Sequence, residues 1–551
     1  MHLDCFKEVK QLTEMLVRVP SIVKTSGETD CAKTIYEWYA ELPYFKENPE
    51  KLQLVQTIDD EIERYIVLAQ VEGTKGDSKK AVIMMGHLDT VEIDDFGYYK
   101  KYAFNPDILP SKLKKLNISE EVNEDIASGE YMFGRGVLDM KSGIAGHMYL
   151  IKYFSEHREE LNGHLISLAT CDEEDNSNGV ITALKVLREM KEKDGLGYIA
   201  AINADYSTPY HEKDDNLYVY FGTVGKLLPT FFCTGRETHV GQAFGGLDPN
   251  LLVAELTRLI SLNPDLCDKA HGEVTNPPIS LKQSDLKEKY SVQTATAAYS
   301  YYNFFKYSMS PKDVMDKLKP VAEEAFTNVI EYVNKRRKKF YEMTNCTYTK
   351  LPWHKRVYTW EEFYNELVAI RGEKFKTSLL SFAKELNEKH PDMDLREFSV
   401  RIVEEAWEWA VDKSPAIIIF FSSTYFARIE VTGETEKEKT LLDSVKESIA
   451  LLQNEVENTI VTKMFYPYIS DISFMNLSDD VPSMKALELN MPAWGTKYFH
   501  NVEDILSISV PVVTIGTYGK DGHMMTERVH MKHSFETTPN LAYLTVKKLL
   551  K

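Results

Sequence analysis

Short stretches of the sequence combine histidine and acidic residues, which are the usual ligands of catalytic metal ions. GHLDT places His87 and Asp89 two residues apart, which puts both on one face if the segment is a strand. One side chain of such a pair can bind a metal ion while the other orients it. CDEED places Asp172, Glu173 and Glu174 directly after the apolar run HLISLAT. Carboxylates crowded at the end of a buried strand are costly unless they are paired or bind a cation.

Two further stretches have the same character. GRGVLDMKSG, residues 134–143, has three glycines around Asp139, which allow close backbone approach and a tight turn from strand to helix. NADYSTP contains Asp205. Each stretch alone has an ordinary explanation, such as a surface turn or acids at a helix N-terminus, and the glycine-rich stretch lacks P-loop spacing. Their joint occurrence favours a common site.

The elements that must position these residues alternate between strand and helix patterns. The apolar periodicity predicts strands at 64–73, 81–90, 164–170 and 196–209, and helices at 138–158 and 178–193. This alternation predicts an α/β sheet with helices on both faces. Functional sites in such sheets gather at the carboxyl ends of the strands, which is where the polar clusters fall.

From about residue 213 the pattern changes, which predicts an inserted domain. A helix is expected at 248–262, strands rich in Tyr and Thr at 290–308, and a long helix at 310–340. Ser310 and Pro311 occupy cap positions of that long helix. The segment 346–412 is helical and highly charged, and the apolar run 415–423 predicts a buried strand that returns to the core.

Composition bounds the class of protein. A chain of 551 residues is too long to fold around a single hydrophobic core, which predicts two or three domains. The net charge of −19, from 65 basic and 84 acidic residues, argues against nucleic acid or an anionic membrane as the main partner. The first 23 residues lack the apolar core of a signal peptide, and no window is apolar enough for a membrane span. Six scattered cysteines without C-x-x-C predict free thiols and a cytoplasmic protein.

Together, GHLDT, GRGVLDMKSG, CDEED and the later acid resemble the M20 family of metallopeptidases and related amidohydrolases. Further segments are similar to that family: LVRVPSIV near the start, GRETHVGQAFGGLDPN at 235–250, SDIS at 470–473 and PVVTIGTYGKDGHMMTERV at 511–529. The length, with GRETHVG and KYSVQTATAAYSYYNF, most resembles the RocB-like branch, associated with arginine utilisation in bacteria.

The resemblance implies a zinc-exopeptidase-like α/β fold. Its catalytic domain has a central mixed sheet flanked by helices, and an α+β lid domain is inserted into it. We therefore expect the first part of the catalytic domain at 1–212, the lid at 213–349 and the second part of the catalytic domain at 350–551. The stretch 350–412 is an extra helical region outside the usual family plan.

The resemblance also implies two divalent metal ions and their ligands. Its expected ligands are His87 and Asp205 for one ion, Glu174 and His523 for the other, and Asp139 as the bridge. Glu173 is the expected general base, and Asp89 is expected to fix the tautomer of His87. Zinc is the default ion for such ligands, with cobalt and manganese as alternatives. His530 and His533 compete with His523, which is preferred because GKDGH follows a strand and precedes TERV.

The predicted lid carries its own expectations. His239 resembles the lid histidine that helps to polarise the scissile carbonyl, often from the partner subunit, so the resemblance allows a homodimer formed through the lid. The family usually has a lid arginine that binds a substrate carboxylate, and the corresponding strand here has none. Lys306 and Arg236 are the candidates to replace it.

The expected function is hydrolysis of an amide, peptide or carbamoyl C–N bond in a small amino-acid-derived substrate of arginine or citrulline catabolism. The alternative is a catalytically silent family member that binds a ligand or partner. Glu173 separates the two, because a silent descendant has no need of the base. A purely structural protein would leave the crowded acids unexplained.

Overall fold

The computed structural model describes residues 2–60 and 62–551. The strands are β1 Leu52–Gln56, β2 Tyr65–Glu72, β3 Lys80–His87, β4 Tyr131–Phe133, β5 His164–Thr170, β6 Gly197–Asn203, β7 Leu217–Phe221, β8 Gly225–Thr234, β9 Lys269–Ala270, β10 Glu273–Val274, β11 Ile279–Asp285, β12 Ala297–Lys306, β13 Val357–Thr359, β14 Ala416–Phe426, β15 Ile460–Lys463, β16 Val512–Thr514, β17 Gly519–Lys520 and β18 Arg528–His530.

The helices are α1 Phe6–Val17, α2 Gly27–Ala40, α3 Pro43–Glu47, α4 Leu109–Leu113, α5 Glu120–Ser128, α6 Lys141–Glu156, α7 Asn178–Asp194, α8 Pro249–Ile260, α9 Pro311–Met343, α10 Trp360–Arg371, α11 Glu373–Lys389, α12 Leu395–Glu408, α13 Glu436–Leu452, α14 Val481–Leu489, α15 Val502–Ile508 and α16 Thr538–Leu549. The chain folds into two compact units. Unit 1 runs to Thr223 and includes Ile429–Ser478 and Asn501–Lys551, and unit 2 comprises Val224–Arg428 and Asp479–His500.

Unit 1 is built on an eight-stranded mixed sheet with the order β1-β2-β5-β3-β6-β16-β7-β15. Strand β3 lies between β5 and β6 and is parallel to both. Strands β3 and β5 are buried along nearly their whole length, and α2, α6 and α7 pack against the sheet. This confirms the predicted central mixed sheet flanked by helices and explains why these strands are continuous apolar runs.

Unit 2 is built on a five-stranded sheet with the order β11-β12-β8-β14-β13, and α8 and α9 pack beside it. Helix α9 begins with a capping box, in which the Ser310 hydroxyl accepts from the Asp313 backbone N–H and the Asp313 carboxylate accepts from the Ser310 backbone N–H. The predicted long helix and its cap are therefore present.

The run 415–423 forms a buried strand, as its sequence predicts, but in a different sheet. It lies within β14, which pairs antiparallel with β8 in unit 2 instead of returning to the sheet of unit 1. Helices α10, α11 and α12 also belong to unit 2. An apolar run specifies burial without specifying which sheet receives it. The two compact units divide at 223/224, 428/429, 478/479 and 500/501, and the expected domains 1–212, 213–349 and 350–551 stay a prediction.

None of the helices within residues 2–60 and 62–551 combines the length and the apolar composition that a membrane crossing requires. All six cysteines are free thiols, and only Cys346 is exposed. The prediction of unpaired thiols is confirmed in the described chain.

Candidate metal centre

Three of the predicted site segments lie side by side at the carboxyl edge of the unit 1 sheet. His87 is the last residue of β3, the pair Glu173 and Glu174 follows β5, and Asp205 follows β6. His87 pairs in register with Thr170 of β5. Because β5, β3 and β6 are parallel neighbours, their carboxyl ends meet at one place. The order of the strands thus brings these residues together.

Asp139 enters the centre from the glycine-rich turn between β4 and α6. Gly136 has φ +78°, and a Cβ there would lie 2.7 Å from the Cγ2 atom of Thr90. Only glycine fits this backbone without strain. The turn therefore holds the chain close to the strand end that carries His87, and Asp139 reaches the site from the side.

His523 comes from the turn between β17 and β18, close to the C-terminus. Its backbone has φ +64°, and its carbonyl oxygen accepts a hydrogen bond from Arg135 Nη2 at 3.3 Å. The side chain is about half exposed, whereas that of His87 is almost completely buried. The centre thus has one buried side and one side that is open to solvent.

The carboxylate of Asp139 lies between the two imidazole rings. His87 Nε2 is 2.9 Å from Asp139 Oδ1, and His523 Nε2 is 2.8 Å from Asp139 Oδ2. His523 Nε2 is also 3.0 Å from Glu174 Oε1. Each oxygen of Asp139 therefore faces a different histidine, which is the arrangement of a carboxylate shared by two sites.

Asp205 belongs to one of three overlapping groups of donor atoms among the described residues. Within His87, Asp139 and Asp205, the donor atoms lie within 4.8 Å of one another. The same holds for Asp139, Glu174 and His523. The structure thus brings together all five residues that the sequence predicts as ligands, and their role as ligands stays a prediction.

The protonation of these groups shows that the donor set suits cations. Burial alone would raise the pKa of Asp139, but hydrogen bonds with His523 and His87 hold it below its usual value. Burial opposes charge on His523, yet Glu174 and Asp139 raise the pKa of the ring to about 12. Burial and then Asp139 raise the pKa of Asp205 to about 7. Imidazole and carboxylate groups crowded in this way are donors that divalent ions prefer, so the residues fit a pair of metal ions.

Glu173 belongs to the third donor group, with His87 and Glu174, whose donor atoms also lie within 4.8 Å of one another. Its Oε2 atom is 3.9 Å from His87 Nε2. Burial raises the pKa of Glu173 well above its ordinary value, His87 lowers it, and Glu174 raises it further. A buried carboxylate with a raised pKa beside these donor atoms has the properties of a general base, and this role of Glu173 stays a prediction.

Asp89 makes a different contact from the predicted one. His87 Nδ1 is 3.1 Å from the backbone carbonyl oxygen of Asp89 and 3.7 Å from its carboxylate. The carboxylate instead accepts hydrogen bonds from the backbone N–H groups of Glu173 and Glu174, at 3.2 and 3.1 Å. The main chain therefore orients the His87 ring, and the Asp89 side chain holds the turn that carries the two glutamates.

Glu527 and Arg135 form a buried clamp that the sequence analysis missed. Glu527 Oε1 accepts from the backbone N–H groups of Leu138 and Asp139, at 3.1 and 3.3 Å. Its Oε2 atom accepts from Arg135 Nη1 at 2.8 Å, and Arg135 also binds the carbonyl of His523. The clamp thus connects the shared aspartate to the His523 turn. The TERV stretch was the signal that could have identified Glu527.

Buried polar residues also support the acidic turn. Arg64 Nη1 donates to Asp172 Oδ1 at 2.6 Å and to Glu28 Oε2 at 3.3 Å, and the Asp172 backbone N–H donates to Glu28 Oε1 at 2.9 Å. Asp471, in the SDIS stretch, accepts from Thr170 Oγ1 at 2.7 Å. Asp172 therefore has a structural partner, and Asp471 is a further buried acid near the strand end.

The competing histidines lie outside all three donor groups. His530 packs edge-on against Tyr131 with ring centroids 5.1 Å apart, and its Nδ1 accepts from the His533 backbone N–H. His533 is half-buried, and desolvation of its ring lowers its pKa to about 3. These contacts favour His523, and not His530 or His533, as the second histidine of the centre.

The predicted lid residues belong to unit 2. His239 is exposed, and its Nδ1 accepts a hydrogen bond from the Gly241 backbone N–H. Lys306 is fully buried and paired with Asp479 at 2.7 Å, so it does not provide an accessible cation for a substrate carboxylate. Arg236 is exposed and remains the candidate of the two.

The similarity to known proteins extends over the whole chain. The profile of "Peptidase family M20/M25/M40" matches residues 83–506. Protein RocB of Bacillus subtilis (strain 168) is 34% identical over 549 residues, which cover 100% of this chain and 96% of that protein. The uncharacterized protein YqjN of the same strain is 33% identical over 557 residues, covering 99% and 96%.

A solved structure shares the fold at low sequence identity. The M20 family metallo-carboxypeptidase Sso-CP2 from Sulfolobus solfataricus has a TM-score of 0.53 and 11% identity, covering 99% of this chain and 100% of that one. This similarity supports the fold, and the sequence matches establish the family.

Proposed function

The chain belongs to peptidase family M20/M25/M40 and is a metal-dependent hydrolase, and we propose that it uses two divalent ions to cleave a C–N bond. The bond belongs to an amide, peptide or carbamoyl group of a small amino-acid-derived substrate. The similarity to RocB and the association of that branch with arginine utilisation support a substrate from arginine or citrulline catabolism.

One observation carries the proposal: the two oxygens of Asp139 face His87 and His523 separately, at 2.9 and 2.8 Å. A single carboxylate between two histidines suits two ions a few ångströms apart. His87, Asp139 and Asp205 would hold one ion, and Asp139, Glu174 and His523 the other. Zinc is the ion that these donors favour, with cobalt and manganese as alternatives.

The bound ions would polarise the substrate carbonyl and lower the pKa of water in the site. Residues of the chain transfer the proton and hold the base in position. Glu173 accepts a proton from the attacking water and donates it to the departing nitrogen. Asp89 holds the turn that carries Glu173, so that the base keeps its position. His239, which resembles a lid histidine that often acts from the partner subunit, is the proposed donor to the carbonyl oxygen.

We further propose that the protein acts in the cytoplasm and forms a homodimer through the lid. The free thiols and acidic composition support the location. The resemblance of GRETHVG to a lid motif in which the histidine often serves the partner subunit supports the dimer. Sedimentation analysis tests it, and a monomer at working concentration would contradict it.

A hydrolysis screen tests the function. The metal-loaded protein is incubated with dipeptides, N-acyl amino acids and ureido acids that have basic side chains, and released amine is measured. We expect one class to be hydrolysed only when metal is present. Hydrolysis of none of them, or full hydrolysis in excess chelator, would contradict the proposal.

A further inference from the structure

Tyr206 is a side chain of unit 1 with no assigned role. It directly follows the expected ligand Asp205, and its backbone N–H donates to Asp205 Oδ1 at 2.8 Å. The Tyr466 hydroxyl donates to the Tyr206 carbonyl oxygen at 2.9 Å. Its ring stacks on that of Tyr468, with centroids 5.6 Å apart and planes inclined by 17°. Two hydrogen bonds therefore hold the backbone of Tyr206, and stacking on Tyr468 holds its ring.

The hydroxyl end of Tyr206 reaches the opposite side of the centre. A Cβ built on Gly522 would lie 2.8 Å from Tyr206 Oη, so the hydroxyl lies against the residue that precedes His523. The side chain thus spans from the turn after β6, which carries Asp205, to the turn between β17 and β18, which carries His523. A larger residue at 522 would displace the hydroxyl, which accounts for the glycine there.

The Tyr206 hydroxyl makes no hydrogen bond to any residue in the described ranges 2–60 and 62–551. The Tyr468 hydroxyl, by contrast, pairs with Thr208 Oγ1 at 3.0 Å, and the Tyr466 hydroxyl with the Tyr206 carbonyl. A rigid aromatic donor that is held beside a charged centre, yet has no protein acceptor, is available to an atom of a bound molecule.

We propose that Tyr206 is a catalytic residue that donates a hydrogen bond to the carbonyl oxygen of the scissile bond as negative charge develops on it. This inference rests on the proposed function. When water oxygen forms its bond to the carbonyl carbon, Glu173 takes the water proton and the π electron pair moves onto the carbonyl oxygen. That oxygen accepts from the Tyr206 hydroxyl, which keeps its own proton. The pair then returns, the C–N bond breaks, and the nitrogen takes the proton from Glu173.

A donor of this kind belongs to the same unit as the centre. Its placement therefore does not depend on unit 2, which contains His239. A preorganised donor acts most strongly on charge that appears only in the transition state. Tyr206 should accordingly affect turnover more than substrate binding, and it should also bind a stable tetrahedral oxyanion.

The test compares Tyr206→Phe with Tyr468→Phe, which removes the hydroxyl of the stacked neighbour. Metal content is measured by elemental analysis, and binding of inorganic phosphate by calorimetry on each metal-treated protein. We expect Tyr206→Phe to keep the wild-type metal content and to bind phosphate about 10-fold more weakly. With a substrate from the hydrolysis screen, kcat should fall about 10²–10³-fold with little change in KM. Tyr468→Phe should match the wild type.

Unchanged phosphate affinity in Tyr206→Phe would overturn the inference, as would loss of metal or an equal loss in Tyr468→Phe, since the last two indicate a structural role. Failure of the proposed function has a separate signature. In that case the wild type hydrolyses no compound of the screen, while the phosphate titration still decides whether Tyr206 binds an oxyanion.

Discussion

Asp139 occupies the middle of the candidate centre because a glycine turn and a buried clamp both converge on its backbone. The two histidines that face it come from β3 and from a turn near the C-terminus. The role of each histidine follows from the Asp139 oxygen that it faces. At the scale of single residues, we predict separate effects for replacing the base Glu173, the ligand His523 and the clamp residue Glu527.

Replacing Glu173 by Gln should preserve metal binding and remove the base. We expect metal content equal to that of the wild type and a loss of about 10²–10⁴-fold in kcat, the usual contribution of a positioned base. The control is Asp175→Asn in the same turn, whose carboxylate pairs with Lys24. Wild-type turnover in Glu173→Gln would show that another group takes the proton.

Replacing His523 by Ala should weaken metal binding, whereas His530→Ala should not. His523 contacts Asp139 and Glu174, and His530 packs against Tyr131 outside the donor groups. Metal content after dialysis against dilute chelator measures the difference. Equal retention in both variants, or loss only in His530→Ala, would mean that the wrong histidine has been placed in the centre.

Glu527→Gln should reduce metal affinity about 10–100-fold, as changes of supporting residues do at other metal sites. The amide keeps the shape of Glu527 but loses the charge that pairs with Arg135. Competition with a chromogenic chelator measures the affinity. The control is Glu192→Gln at an exposed position on α7. An unchanged metal affinity in Glu527→Gln would mean that the clamp contributes only to the stability of the fold.

The sequence permitted prediction of the residues with distinctive local patterns and missed those defined by distant partners. His87 ends a strand, Asp139 lies just before a helix and Glu174 follows a strand, and the periodicity of each of these elements is visible locally. Glu527 lies 392 residues from Arg135, so no local spacing reveals their pairing. The expected role of Asp89 toward His87 stays a prediction, because the Asp89 carbonyl oxygen lies 3.1 Å and its carboxylate 3.7 Å from His87 Nδ1, and sequence alone does not show which of the two faces the ring.

At the scale of elements, the β4–α6 turn is the most constrained connection to the site. Gly136 and Gly195 both have positive φ, but only Gly136 is crowded. Gly136→Ala should therefore destabilise unit 1 by about 1–3 kcal/mol more than Gly195→Ala, because overpacking adds to the backbone strain. Urea unfolding of the metal-free proteins measures this, and equal losses would contradict the packing argument.

Element type was predictable for many segments, and element partnership was not. The segment 346–412, expected to be helical, also contains β13. Strand β5 matches its predicted range 164–170, and α7 and α9 begin at the expected residues. The run 415–423 was correctly predicted as a buried strand, yet it pairs with β8 of unit 2. A strand that is buried on both faces lacks the alternation of apolar and polar residues. Its sequence therefore does not indicate the layer against which it packs.

At the scale of the whole molecule, buried neutral histidines should make the fold acid-sensitive. Burial lowers the pKa of His147 to about 3, and that of His533 likewise. Since the unfolded value is near 6.5, their contribution to stability is complete above pH 6.5. It is lost as the pH falls toward 3, by about 1.4 kcal/mol per pH unit for each histidine.

His147→Leu in excess chelator should therefore show a shallower decline of Tm between pH 6.5 and 4.5 than the wild type. The exposed His211→Leu is the control. Parallel declines for His147→Leu and the wild type would show that His147 does not titrate differently in the folded and unfolded states.

The most direct test of the central claim is the number of metal ions bound per chain in the wild type and in Asp139→Asn. Both proteins, with Asp94→Asn as a surface control, are loaded with zinc, dialysed and measured by elemental analysis. We predict two ions per chain in the wild type and the control, and the loss of at least one in Asp139→Asn. A wild type without metal, or an Asp139→Asn variant that retains both ions, would contradict a centre built around a shared aspartate.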